Sequence, residues 1–134
     1  EIPHEEVTFE HNSAIIQTQE ESKLAASLKL VQEALEKYEK LGQISLFIAG
    51  HTDTTGKPAH NLQLSRKRAR AIALWFREHG LTLPIANEGF GDRALKVQTG
   101  DEVAEPRNRR VDYVLSVEEP RFKSTGGRPG WKQI

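Results

Sequence analysis

The chain contains no cysteine and no methionine. Without cysteine there can be no disulfide, no thiol nucleophile and no cysteine metal site, and the absence fits either redox compartment. Net charge is missing too. The 19 Lys plus Arg are balanced by 19 Asp plus Glu, so no overall field draws the chain toward nucleic acid or an anionic membrane. No apolar run approaches the roughly 18–20 residues of a membrane span, and no insertion within the chain is expected. There is neither a secretory leader nor an initiating methionine, so the sequence is expected to be a mature or excised soluble piece, any membrane anchor lying outside it. Gly-x-Ser-x-Gly, His-Glu-x-x-His and Walker patterns are absent, and Ser65 has no base beside it in sequence. Asp53 and Glu88 are the carboxylates that would suit a wall-cleaving glycosidase, but nothing in the sequence places them together. No enzyme and no cofactor are expected. With 134 residues, the chain has room for one core without metal or disulfide staples.

What is present centres on one strand, loop and helix start. Ile44-Ser45-Leu46-Phe47-Ile48-Ala49 is a short run of strand formers, Gly50-His51-Thr52-Asp53-Thr54-Thr55-Gly56 is polar, and a helical pattern begins between Pro58 and Ser65. An acid at a strand end and a base on the next helix sit on elements that do not wander. The helix N-terminus adds partial positive charge at the same place. At about 100° per residue, Ala69, Ile72, Ala73 and Phe76 form a buried stripe flanked on one side by Arg66, Arg70 and Arg77. Arg68 falls on the other flank, in line with Leu64 and Trp75. Asp53 and Arg68 then either face a small zwitterionic guest or neutralise one another in an internal salt bridge. His51, Asp53 and His60 have side chains suited to zinc or manganese, but no fourth ligand cluster accompanies them, and His51 is expected to hydrogen-bond the loop backbone.

The rest of the chain reads as an α/β frame. Val7 and Phe9 alternate with Thr8 and Glu10 in a first strand, and His11-Asn12-Ser13 turn the chain. Leu24, Leu28, Val31, Leu35 and Tyr38 recur at steps of four and three, too briefly for a coiled coil, in a helix with a Thr18–Glu21 capping box and Gly42 as its stop. Gly80 closes the second helix, residues 85–89 form a third strand, and 92–105 form a loop rich in acids. In the last strand, 109–117, Val111, Tyr113, Leu115 and Val117 share one buried face, with Asp112 and Ser116 on the other. Parity puts Arg109 with Val111, which favours it over Arg110 as a pocket residue. Residues 119–134 form a basic, Gly- and Pro-rich tail expected to be mobile, in which Trp131 alone suggests docking.

Gly-His-Thr-Asp-x-x-Gly at 50–56, Asn61, Leu-Ser-x-x-Arg-Ala at 64–69 and Asn-Arg-Arg-Val at 108–111 resemble the OmpA-like domain, over about residues 7–117. The family's usual proline soon after the glycine pair is absent, and the first after Gly91 is Pro106. The resemblance implies a two-layer α/β (α+β) fold over 1–118, strand, helix, strand, helix, strand and a further strand, with helices on a mixed sheet. It implies a non-catalytic periplasmic or envelope module that grips peptidoglycan through the diaminopimelate of the stem peptide. Asp53 would then meet the free ammonium and Arg68 the free carboxylate, with Asn61 and Arg109 closing the pocket. Thr52 and Thr54 would add backbone contacts, and Leu64 and Arg110 complete the candidate set. The rival reading is a module that binds other envelope proteins, its pocket repurposed or unused.

Overall fold

The computed structural model describes residues 5–38, 44–120 and 130–134. The elements are β1 (Glu5–Thr8), α1 (Thr18–Tyr38), β2 (Ser45–Gly50), α2 (Pro58–Glu78), β3 (Ile85–Gly89), β4 (Arg110–Ser116) and β5 (Lys132–Gln133). They form one sheet in the order β1-β4-β2-β3-β5. Only β2 and β3 run parallel. A parallel pair needs a crossover, and α2 supplies it.

Both helices pack on one face of the sheet. Leu24 and Val31 of α1 and Ala69, Ile72, Ala73 and Phe76 of α2 share a core with Val7, Leu46, Ile48, Ile85, Val111, Tyr113 and Leu115. These positions are the helical stripes and every second strand residue, so periodicity alone assigns them. Tyr113 is buried in this core because its hydroxyl donates to Ser27 Oγ at 2.7 Å.

Two glycines let α2 come unusually close. A Cβ on Gly50 would stand 2.0 Å from the Ser65 carbonyl oxygen, and one on Gly89 would stand 2.5 Å from Ser65 Oγ and the Arg66 nitrogen. The first half of α2 therefore rests directly on strand backbone.

Several local expectations differ from the structure. No hydrogen bond joins Thr18 to Glu21, because Thr18 is already helical; Glu20 instead reaches back to β1 and accepts from the Thr8 amide at 2.8 Å and hydroxyl at 2.7 Å. Gly42 lies outside the described residues. β4, expected to run to Val117, ends at Ser116, leaving Val117 past the pairing and 54% exposed.

Its second face is not polar and open either. Asp112 is buried beside His51 and Arg110, next to a small cluster of Ala49, Phe90 and Ala94. The end of the supposedly mobile tail is docked: β5 pairs with the β3 edge, and Trp131 sets its ring edge-on against Phe47, centroids 5.2 Å apart.

Candidate functional site

Beyond the C-terminal end of β2, the loop 51–57 and the start of α2 enclose an open cavity of about 270 Å³. Asp53, Thr52, Asn61, Leu64, Arg68 and Arg109 all line it. His60, Leu64 and Arg68 follow one another at steps of four along α2, which puts all three on one stripe of the helix.

Asp53 is almost fully buried and held by four donors. Its Oδ1 accepts from the Thr55 amide at 3.2 Å and hydroxyl at 2.5 Å, and its Oδ2 from the Glu105 amide at 3.3 Å and Arg109 Nη1 at 3.2 Å. Burial alone would raise its pKa, but the two Thr55 bonds, Arg109 and the Glu105 amide outweigh burial and hold it below the ordinary 3.8. The carboxylate is ionised throughout the neutral range.

Arg68 is entirely buried and does not touch Asp53. Its Nε donates to Ser13 O at 2.7 Å, Nη1 to His51 O at 2.9 Å and Nη2 to Glu10 O at 3.0 Å, with the guanidinium over the Phe9 ring. Those bonds use three of the five guanidinium N–H groups and leave one on each terminal nitrogen. Burial pushes its pKa down to about 10, with nearby Asp53 opposing and Arg109 adding to the fall. It stays charged at neutral pH. Of the two arrangements open from the sequence, the internal salt bridge is absent: Asp53 pairs with Arg109 instead.

Arg109 lies just ahead of β4, after a 3-10 turn at Pro106–Asn108, and also donates through Nε to Phe9 O. Asn61 donates to the Asp53 carbonyl at 3.4 Å.

Thr54 and Arg110 do not line the cavity. Thr54 turns away and organises the acidic loop: its Oγ1 donates to Gly100 O at 2.7 Å and accepts from the Val103 amide at 2.9 Å, while its carbonyl accepts from the Glu102 amide. Asn108 pins the same loop by exchanging two bonds with the Val97 backbone, each 2.9 Å. Loop 92–105 is thus the wall that delivers the Glu105 amide to Asp53.

Arg110 points through the opposite face of the sheet, where its Nε donates to both oxygens of Asp112 at 3.2 Å. His51 shares that face. Rather than bonding loop backbone through its ring, it stacks on Phe90 and sets Nε2 3.2 Å from Asp112 Oδ2. Burial lowers its pKa below 6.5, and although the nearby Asp112 carboxylate opposes this, the ring is neutral at neutral pH. Among the described residues, no group of three His, Asp or Glu side chains is arranged to hold a metal.

Thr55, Gly56, His60, His11 and Asn12 also line the cavity, outside the contact set that the resemblance implies. The spacing of His60 from Leu64 and Arg68 was the available signal. Nothing local in the sequence points to His11 or Asn12, which arrive with the turn after β1.

The chain resembles several known proteins in sequence and fold. The chain is 34% identical over 74 residues to the outer-membrane lipoprotein YfiB of Pseudomonas aeruginosa, a match covering 53% of this chain and 43% of that protein. The structure resembles the peptidoglycan-associated lipoprotein of Burkholderia pseudomallei, with TM-score 0.68 and 25% identity, covering 83% of this chain and 89% of that one. It also resembles an outer-membrane protein of Borrelia burgdorferi, with TM-score 0.58 and 29% identity over 82% of this chain and 83% of that one. The C-terminal domain of Helicobacter pylori MotB shares the fold, with TM-score 0.68 and 17% identity, covering 86% of this chain and 87% of that one. The OmpA family model matches residues 8–109, a span that holds the strand, loop, helix and Arg109 around the cavity, and the chain belongs to that family.

Proposed function

We infer that this domain is a non-catalytic anchor that associates an envelope protein with peptidoglycan in the periplasm, by gripping the free amino-acid headgroup of diaminopimelate in the stem peptide. The observation that carries this is the cavity in which Asp53 and Arg68 present opposite charges without contacting one another. Within a stem peptide, diaminopimelate keeps one ammonium and one carboxylate on the same carbon. The carboxylate would take the remaining N–H on each terminal nitrogen of Arg68, a planar pair that matches two oxygens. The ammonium would approach Asp53, with the Thr55 hydroxyl turning aside to release a lone pair.

A second reading, a protein-binding module with an unused pocket, draws support from the same carboxylate, since Asp53 already has four donors. Retention on purified peptidoglycan separates the two. Loss of retention in Asp53→Ala, with the melting temperature showing a folded variant, supports the headgroup reading; unchanged retention in that variant overturns it. Single-site binding should be weak, on the order of −5 to −7 kcal/mol, because few atoms are engaged and ordering opposes them. The wall offsets this by repetition, since a tethered domain rebinds neighbouring stem peptides.

A further inference from the structure

A second depression adjoins the cavity at Asp53. Asn12, His60 and Leu64 line both, and the second, of about 270 Å³, is completed by Ala14, Gln63 and Lys67. The two adjoin along these shared residues, with α2 on one side and residues 12–14 on the other. His60 and Asn12 join the two sides, Nε2 to Oδ1 at 2.7 Å.

The two differ in charge. The first holds Asp53 opposite Arg68 and Arg109. The second is lined by one cation, two amides, an imidazole and two apolar side chains, and by no carboxylate. Among the described residues, Lys67 has no hydrogen bond or ion pair, although it stands on the exposed side of a helix whose neighbouring positions line the depression. A solvated lysine on a helix is ordinary. A lysine lining a depression that adjoins one suited to a zwitterion is a charge within reach of a ligand longer than its headgroup.

We propose that this second depression is a subsite for a further carboxylate on the same ligand, with Lys67 as the specificity-determining cation. The assignment rests on the headgroup reading of the cavity at Asp53. A zwitterionic headgroup is neutral overall and common to every free amino acid, so that cavity alone separates a stem peptide poorly from its fragments. A cation in the adjoining depression adds a test that only a longer, acidic ligand passes. Gln63 and Asn12 supply amide N–H groups that hydrogen-bond a carboxylate, and the exposed site keeps the gain small.

The test uses the whole chain and two probes: a diaminopimelate-containing peptide with a free C-terminal carboxylate, and the same peptide with that carboxylate amidated. Calorimetric or NMR titration should show amidation weakening binding roughly two- to five-fold, the size expected of an exposed ion pair. Lys67→Gln should weaken binding of the free acid by the same factor, leave the amide unchanged and keep the melting temperature. Equal binding of the two probes by the parent chain, or equal weakening of both by Lys67→Gln, overturns the subsite and leaves the headgroup reading standing. If neither probe binds, the headgroup reading fails and takes the subsite with it.

Discussion

Arg109 Nη1 donates to Asp53 Oδ2 at 3.2 Å across 56 positions of sequence, tying the entry to β4 to the loop after β2. The acid of the cavity is therefore held by a cation other than the one on the following helix, and Arg68 stays free of it.

Removing that cation should unsettle Asp53 first. In Arg109→Ala the carboxyl loses one of the interactions that lower its pKa, while burial, which raises it, remains. Carbon-detected NMR titration should show the Asp53 pKa rise relative to the parent protein, and an unshifted value would refute the pairing as a cause.

Acid should weaken the fold through the same group. A carboxyl whose folded pKa lies below its ordinary 3.8 stabilises the fold above that value, and the contribution fades as pH falls through the folded value. Asp53→Asn should accordingly flatten the acid limb of a plot of melting temperature against pH.

His51 acts earlier in the same descent. Its folded pKa lies below 6.5, so the unfolded chain binds the proton more readily; the stabilisation is complete above 6.5 and is lost as pH drops. Urea melts at pH 7.5 and 5.5 should differ, and His51→Gln should shrink the difference.

Arg68→Lys should cost stability as well as binding. An ammonium cannot reproduce a planar fork that meets the carbonyls of Ser13, His51 and Glu10 at once, so buried acceptors are left unpaired. A loss of about 1–3 kcal/mol in chemical denaturation is expected.

The docked tail end has a direct readout. Trp131 packs on Phe47 and Phe90, and the chain's other tryptophan, Trp75, lies in α2 on the helix side of the sheet. Trp131→Ala should lower stability by about 1–2 kcal/mol, less than for a fully buried ring, and increase binding of a hydrophobic dye. No change in either would mean that the tail adds nothing to the second face.

The core was legible in the sequence because periodicity of 3.6 and 2 selects Leu24, Val31, Ile72 and Phe76 on the helices and Val7, Val111, Tyr113 and Leu115 on the strands. Asp53 and Arg68 were legible because one short stretch of strand end, loop and helix, from Gly50 to Arg68, carries both. The far face was not. His51 and Asp112 meet only when β2 and β4 pair in the register that sets Ala49 opposite Asp112, and neither strand announces that register. Loop 92–105 was opaque for another reason: what it gives Asp53 is the backbone N–H of Glu105, which no side chain advertises.

At Gly50 and Gly89 the helix backbone occupies the space that side chains would fill. Asn61, Leu64 and Arg68 are aimed from that half of the helix, so the seam joining the two layers also calibrates how far each reaches into the cavity. A methyl group at position 50 would act as a shim, lifting the helix and retracting every one of those groups together. The reach of those groups into the cavity is geared to the two seats that Gly50 and Gly89 give the helix.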